Sequence, residues 1–343
     1  MKSLIDKLFQ KSILQKEEWI FLLSNRNTEI AEYAFEKARE VSLQHFKNKV
    51  FARGLIEFTN GCKNNCFYCG IRAGNKKVER YRLTKEEILE CCRIGNELGF
   101  KTFVLQSGED AFFTDEKLLD IITNIKEKYP DNALTLSLGE RSFDSYLAFK
   151  NAGVDRYLLR HETANPEHYR KLHPDNLSLF SRKKCLYNLK DIGFQTGTGF
   201  MVGSPFQTIE NLAEDMMFIA DFQPQMLGIG PFIPHQDTPF AEFPAGSVEL
   251  TLFLLALSRL LLPKVLLPAT TALGTLDPQG REKAILAGAN VVMPNLSPLQ
   301  VREQYMLYNN KIATGLEAAE GVKKLAESMT AIGYELVHER GDY

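Results

Sequence analysis

The stretch Gly54-Leu-Ile-Glu-Phe-Thr-Asn-Gly-Cys-Lys-Asn-Asn-Cys-Phe-Tyr-Cys-Gly70 decides the fold. Gly54–Phe58 is a short apolar run, and the chain behind it turns polar and loop-like. Outward from it the pattern repeats. Strand-like runs recur at Thr102–Gln106, Leu134–Leu138, Arg156–Arg160, Gln195–Met201, Met226–Ile229, Val265–Leu267 and Val291–Met293. Helical patterns near 84–98, 115–128, 142–152, 178–191, 208–221, 247–262 and 277–287 lie between them. Near-continuous apolar strands alternating with helices imply a parallel sheet covered on both faces. Eight such strands predict a complete (βα)8 TIM barrel rather than an open doubly wound sheet of roughly five or six. The last two strand signals are the shortest. Thr84-Lys-Glu-Glu87 has the form of a capping box, and Gly153, Gly193 and Gly288 sit where left-handed helix ends need glycine.

The 343 residues suit a barrel of about 250 with extensions. Residues 1–48 read as an N-terminal helical extension, 49–312 as the barrel, and 313–343 as a C-terminal helical segment, with a helix near 316–332 packed on the barrel. The 44% hydrophobic content supplies a large core. A net charge of −2 lacks the basic excess of a nucleic-acid binder. The most apolar stretch, Leu250–Leu267, is interrupted by Ser258, Arg259, Pro263 and Lys264, so no membrane span is expected. Asp6, Glu17 and Glu18 stand where a secretory signal would be apolar, and a cytoplasmic location is the expectation.

Three of the six cysteines, Cys62, Cys66 and Cys69, fall within one loop at Cys-x3-Cys-x2-Cys spacing. Disulfides are not expected in a cytosolic chain, so clustered thiols point to a metal or to catalysis. Structural zinc takes four ligands, usually as two pairs, and only Cys66 and Cys69 form a close pair here. An iron–sulfur cubane normally takes four thiolates, so three would leave one iron open to a small molecule. Cys91 and Cys92 point about 100° apart on a helix, and Cys185 stands alone, so one cluster is expected rather than two.

Polar groups recur at the strand ends, where a βα barrel carries its function. Gln106-Ser107-Gly108-Glu109 follows the second strand, either as a ligand-holding turn or as a plain strand-to-helix connection. Arg160 and Glu162 follow the fourth and share one side if the chain stays extended. They suit a carboxylate and a ribose, or else pair with each other. Arg182 is either a carboxylate partner or a solvated helix charge. Thr196-Gly-Thr-Gly-Phe-Met201-Val-Gly203 is not a dinucleotide fingerprint. His235 reads as a ligand or as a satisfied loop histidine, Thr270 and Thr271 as an anion site or as turn caps, and Tyr305 and Tyr308 chiefly as core.

The cysteine spacing, with Tyr68 before its last member and a barrel strand ahead of it, resembles the radical S-adenosylmethionine (SAM) superfamily. The strings LQSGED, TLSLGE, RYLLRHETANP, GIGPFIPH-x-DTP, PATTA-x-GT and GANVVMPN resemble the HydE family of radical-SAM maturases of [FeFe]-hydrogenase over roughly residues 45–310. The resemblance implies a [4Fe–4S] cluster on Cys62, Cys66 and Cys69. It implies SAM on the open iron, among Tyr68, Ser107, Gly108, Glu109, Ser137, Arg160, Glu162, Arg182 and Met201. Reductive cleavage would release a 5′-deoxyadenosyl radical. It implies a substrate cavity of Gln106, Thr135, Arg156, Thr270, Thr271, Met293 and Tyr305, although strand position alone puts Arg156 at the barrel's far end. The implied substrate is an iron–cysteine complex bearing CO and cyanide. The implied partners are a tyrosine-lysing radical-SAM maturase, a GTPase scaffold maturase, and a reductase or ferredoxin-type electron donor. Two readings compete: another radical-SAM enzyme, of methylornithine-synthase or biotin-synthase type, and a non-catalytic iron–sulfur or organometallic carrier.

Overall fold

The computed structural model describes residues 1–312 and 318–343. Eleven strands are formed among the described residues: β1 (Lys49–Ala52), β2 (Gly54–Thr59), β3 (Thr102–Ser107), β4 (Ala133–Ser137), β5 (Arg156–Leu158), β6 (Gln195–Thr198), β7 (Met201–Val202), β8 (Met226–Leu227), β9 (Gly230–Pro231), β10 (Val291–Val292) and β11 (Glu335–Val337). Six of them make one parallel sheet in the order β2-β3-β4-β5-β6-β8. Every residue of β2 is buried, as a strand covered on both faces requires.

Beyond β8 the pairing continues through single parallel bridges, Met226 to Leu266 and Pro268 to Val291. Leu55 of β2 bridges Asn295; its N–H donates to Pro294 O (2.9 Å), and its carbonyl accepts from Leu296 N (2.7 Å). The fifth and sixth expected strands are each broken in two, as β6 with β7 and β8 with β9, and β7 pairs with β9 apart from the main sheet. Val265–Leu267 forms no strand of its own but stays tied in: Leu266 N donates to Gln225 O (3.0 Å), Leu266 O accepts from Leu227 N (3.0 Å), and Leu267 N donates to Asn290 Oδ1 (2.8 Å).

The crossover helices lie where period and capping placed them: Lys85–Glu97, Asp115–Lys128, Phe143–Asn151, Leu179–Ile192, Ile209–Phe222, Val248–Leu261 and Gly280–Leu286. The Thr84 box is formed in both directions, Glu87 N to Thr84 Oγ1 (3.2 Å) and Thr84 N to Glu87 Oε2 (2.7 Å). Val248–Leu261 is apolar on all sides and buried from Leu250 to Leu261. It lies beneath the N-terminal helices Lys2–Lys11 and Thr28–Phe46. Arg259, which interrupts that run, donates to the carbonyls of Gly288 (2.9 Å) and Pro263 (2.8 Å). The C-terminal helix is described over Ala318–Ala331, and residues 316 and 317 of the expected span lie outside the described residues.

A second parallel sheet, β10-β1-β11, was not anticipated. It joins Lys49–Phe51 to Glu335–Val337 and carries the C-terminal tail to the N-terminal ends of the main strands. No described helix is long and apolar enough to cross a membrane.

Candidate active site

The chain leaves β2 into the cysteine loop, whose backbone is held at several points. Arg80 donates to the carbonyls of Asn60, Ile71, Arg72 and Asn75. Lys63 N donates to Glu109 O (2.9 Å), Phe67 N to Leu172 O (3.0 Å) and Gly70 N to Leu307 O (2.9 Å). Cys62, Cys66 and Cys69 are half-buried free thiols, whereas Cys91, Cys92 and Cys185 are buried elsewhere. Burial raises the Cys62 thiol pKa and pushes Cys66 up to about 12. Binding iron as thiolates therefore releases protons. Ser107 donates to Gly108 O (2.7 Å). A methyl at Gly108 would meet Gly61 O at 2.4 Å and Cys62 Cβ at 2.7 Å, so this turn seats against the cysteine loop only as glycine.

Glu109 accepts from Glu140 N (3.0 Å). Arg182 is no solvated helix charge. It is buried, with Nε 2.8 Å from Glu140 Oε1 and Nη2 3.9 Å from Glu109 Oε1. Glu162 does not continue an extended strand; its φ is +66°. Its Oε2 nevertheless lies 3.1 Å from Arg160 Nη2. Neither close approach has hydrogen-bond angles. Arg160 Nε and Nη2, Glu162 Oε2, Arg182 Nε and Glu140 Oε1 are therefore buried polar atoms without a hydrogen-bond partner in the protein. Such atoms are costly unless something else satisfies them. Arg182 and Glu162 both act electrostatically on Cys66, so these two side chains lie near the cysteine loop.

Tyr68 pairs with His173 Nε2 (3.2 Å), and Met201 is buried with Leu172, Phe232 and Phe240. Gln106 stands in register between Glu57 and Ser137 and lies near the buried Tyr305. Thr135 is buried and its Oγ1 has no partner. Thr270 accepts from Leu273 N (3.5 Å) as the cap of Thr271–Leu276, and also lies against Gly230. Met293 is partly buried beside Phe51 and Leu266. Tyr308 lies near Thr275. His235 packs on Gly70 and accepts from Asp237 N (3.1 Å), the satisfied loop histidine.

Arg156 is not brought to the cysteine loop. Its guanidinium reaches Thr102 Oγ1 (3.2 Å), Arg340 O (2.8 Å) and Asp342 Oδ1 (2.5 Å), at the opposite end of the strands. This agrees with its position at the start of β5 and sets it apart from the substrate cavity that the resemblance implies for it. Gly139, Glu140 and the His161–Asp215 pair were not singled out from sequence. Gly139 and Glu140 stood in the string TLSLGE, and His161 in RYLLRHETANP. His161 Nδ1 meets Thr198 Oγ1 (2.8 Å) and Nε2 meets Asp215 Oδ1 (3.1 Å), with both side chains fully buried. The pair sits where burial disfavours both charged forms, pushing Asp215 well above and His161 well below its usual pKa. It holds Arg160–Thr163 through Asp215 Oδ1 and Ala164 N (2.5 Å).

A parallel α/β sheet whose first strand runs into a three-cysteine loop defines a radical SAM protein, and the radical SAM superfamily matches residues 56–219. The chain is 49% identical over 281 residues, 82% of its length and 80% of the relative's, to the [FeFe] hydrogenase maturase subunit HydE of Thermotoga maritima. It is 30% identical over 298 residues, 86% and 83%, to the 3-methylornithine synthase of Methanosarcina barkeri. A crystal structure of methylornithine synthase superposes with a TM-score of 0.85 at 27% identity, covering 97% of each chain. The chain belongs to the radical SAM superfamily and, within it, to the HydE family.

It is an enzyme that uses a [4Fe–4S] cluster and SAM. The residues present fit both groups. Three free thiols on one braced loop are the donor set of a cluster with an open iron. Among the described residues no three His, Cys, Asp or Glu side chains are disposed around a single ion, so the cluster fit rests on donor chemistry. The guanidinium and carboxylate of Arg160 and Glu162, ion-paired with each other but without completed hydrogen bonds, fit a ligand bearing a carboxylate and hydroxyls.

Proposed function

We propose that this chain acts in [FeFe]-hydrogenase maturation, on an iron–cysteine complex bearing CO and cyanide that becomes the diiron subcluster of the active site. The carrying observation is the set of buried polar atoms on Arg160, Glu162, Arg182 and Glu140 that meet one another as ion pairs but complete no hydrogen bond, with Arg182 and Glu162 near Cys66. In this reading Cys62, Cys66 and Cys69 hold the cluster. Glu109 orients the methionyl amino group of SAM, Arg160 and Arg182 face its carboxylate, and Glu162 faces its ribose. Gly108 lets the backbone approach, while Ser107, Ser137, Tyr68 and Met201 complete the wall. The bound cluster supplies the electron that cleaves the S–C5′ bond and yields the 5′-deoxyadenosyl radical. In the same reading Gln106, Thr135 and Tyr305 bound the substrate space, with Glu57 beside Gln106 in register. Thr270, Thr271 and Met293 complete that space in the same reading.

The bridges at Leu266, Pro268 and Leu55 support closure of the sheet into a complete (βα)8 barrel, with residues 1–48 as an added helical layer and the described part of the C-terminal segment, 318–343, packed on the barrel. The tyrosine-lysing and GTPase maturases are the proposed source of substrate and recipient of product. A single cluster is proposed. The test is anaerobic: reconstitute, reduce with dithionite, add SAM, and measure 5′-deoxyadenosine with and without the product of the tyrosine-lysing maturase. Nucleoside that rises with that product supports the reading. Nucleoside indifferent to it moves the substrate toward that of a mutase, and a loaded, SAM-binding chain that makes none is a carrier. Cys66→Ala is expected to lose cluster iron and SAM cleavage while keeping the circular dichroism of the folded chain. Loss of soluble protein instead would make the cluster structural.

A further inference from the structure

We propose that the outer face of the cysteine loop is the docking surface for an acidic one-electron carrier protein. The inference rests on the cluster assignment above. Between residues 63 and 82 the chain carries Lys63, Arg72, Lys76, Lys77, Arg80 and Arg82 against the single Glu79, in a protein of net charge −2. The ion pairs of this loop share one asymmetry. Lys63 reaches Glu109 at 3.4 Å, Lys77 reaches Asp237 at 2.7 Å and Arg82 reaches Asp110 at 2.7 Å. The cation side chains are 63%, 81% and 49% exposed, and the carboxylates only 10%, 12% and 5%. Each pair thus keeps its negative end inside and presents its positive end to solvent, although the formal charges cancel.

This surface is concave. A hollow of about 440 Å³ is lined by Gly61, Cys62, Lys63, Arg80, Arg82 and Asp110. Cys62 therefore has two sides. Gly108 of the proposed SAM pocket packs on its Cβ, and the basic hollow opens on the other. A carrier seated there stands next to a cluster ligand without entering the space proposed for SAM and substrate. The carrier loses one electron and the cluster gains it; no proton or atom is transferred. Exposed cations of one sign steer an acidic partner and set its rate of encounter.

The test uses the cluster-loaded chain, with a reduced acidic two-cluster ferredoxin and a reduced acidic flavodoxin as probes, titrated calorimetrically under argon at low and high salt. The variant is Lys76→Glu/Lys77→Glu, with Lys76→Gln/Lys77→Gln as the gentler pair. The expected result is a carrier Kd raised about tenfold by the Glu pair and less by the Gln pair. Parent affinity should fall with salt. Carrier-driven 5′-deoxyadenosine formation should fall in step, with dithionite-driven formation and iron content unchanged. Tighter binding of one probe identifies the carrier as iron–sulfur or flavin. Equal Kd values for parent and variants, salt-independent binding, or equal affinity for a redox-inert acidic protein would overturn the proposal. If the loaded parent cleaves no SAM with dithionite, the catalytic reading fails while the Kd comparison still decides the docking surface.

Discussion

Gly139 shows how closely one residue is tied to the site. Its φ of +75° is open to glycine, and an added Cβ would lie 2.1 Å from Glu109 Cγ and 2.3 Å from Glu109 Oε1. Gly139→Ala therefore combines a backbone cost of about 1 kcal/mol with displacement of the carboxylate proposed to meet the SAM amino group. SAM affinity measured by equilibrium dialysis is expected to fall about tenfold, equivalent to about 1.4 kcal/mol, while the chain stays folded. Unchanged affinity would remove Glu109 from SAM binding. At this scale the cysteines were legible because spacing alone defines a donor set. Arg182 was ambiguous because its helical position does not reveal the two carboxylates that converge on it from other strand ends.

Elements were legible where a local rule governs them. Helix ends follow capping chemistry within a few residues, so Thr84 and Gly193 lie where the sequence placed them. The strands were harder. Paired segments of two residues, such as β8 and β10, carry little periodic signal, and the β1–β11 pairing joins segments far apart in sequence. Gly193 offers a clean test of the local rule. It closes Leu179–Ile192 at φ +89°, and nothing lies within 4 Å of a Cβ built there. Gly193→Ala is then a purely conformational change. It should cost about 1 kcal/mol, with Gly193→Asn milder because asparagine tolerates the left-handed region. Denaturant melts should rank parent, Asn, Ala, with SAM affinity equal in all three. A loss well beyond this in the Ala variant would mean that the site is packed rather than open.

At the scale of the whole molecule, the tail closes the end of the sheet opposite the cysteines. Arg53 and Arg156 are buried there, and burial pushes both guanidinium pKa values down. The tail supplies Gly341 O to Arg53 (3.3 Å), with Arg340 O and Asp342 to Arg156, while Asp342 also accepts from Gln195 Nε2 (3.1 Å). One buried cation thus pairs with a carboxylate, and the other with a backbone carbonyl, of a segment whose other side is solvent. Burial alone would raise the pKa of Asp342. Arg340, Arg156 and Gln195 outweigh it and hold the carboxylate down at about 2, against about 3.9 in an unfolded chain. A carboxylate depressed on folding stabilises the fold above its unfolded pKa and loses that contribution as pH falls through its folded pKa. The tail's anchoring should therefore be intact at neutral pH and fade between about pH 4 and pH 2. Asp155 and Asp110 are also depressed and titrate in the same region, so the parent's acid curve alone does not isolate the tail. The difference between parent and Asp342→Asn does. Near neutral pH the variant leaves Arg156 without its carboxylate and should melt lower, with faster hydrogen exchange at residues 338–343. As pH falls the parent loses the same interaction, so the two melting curves should converge. A difference that stays constant from pH 5 to about pH 2 would mean that the Asp342 charge does not hold the tail.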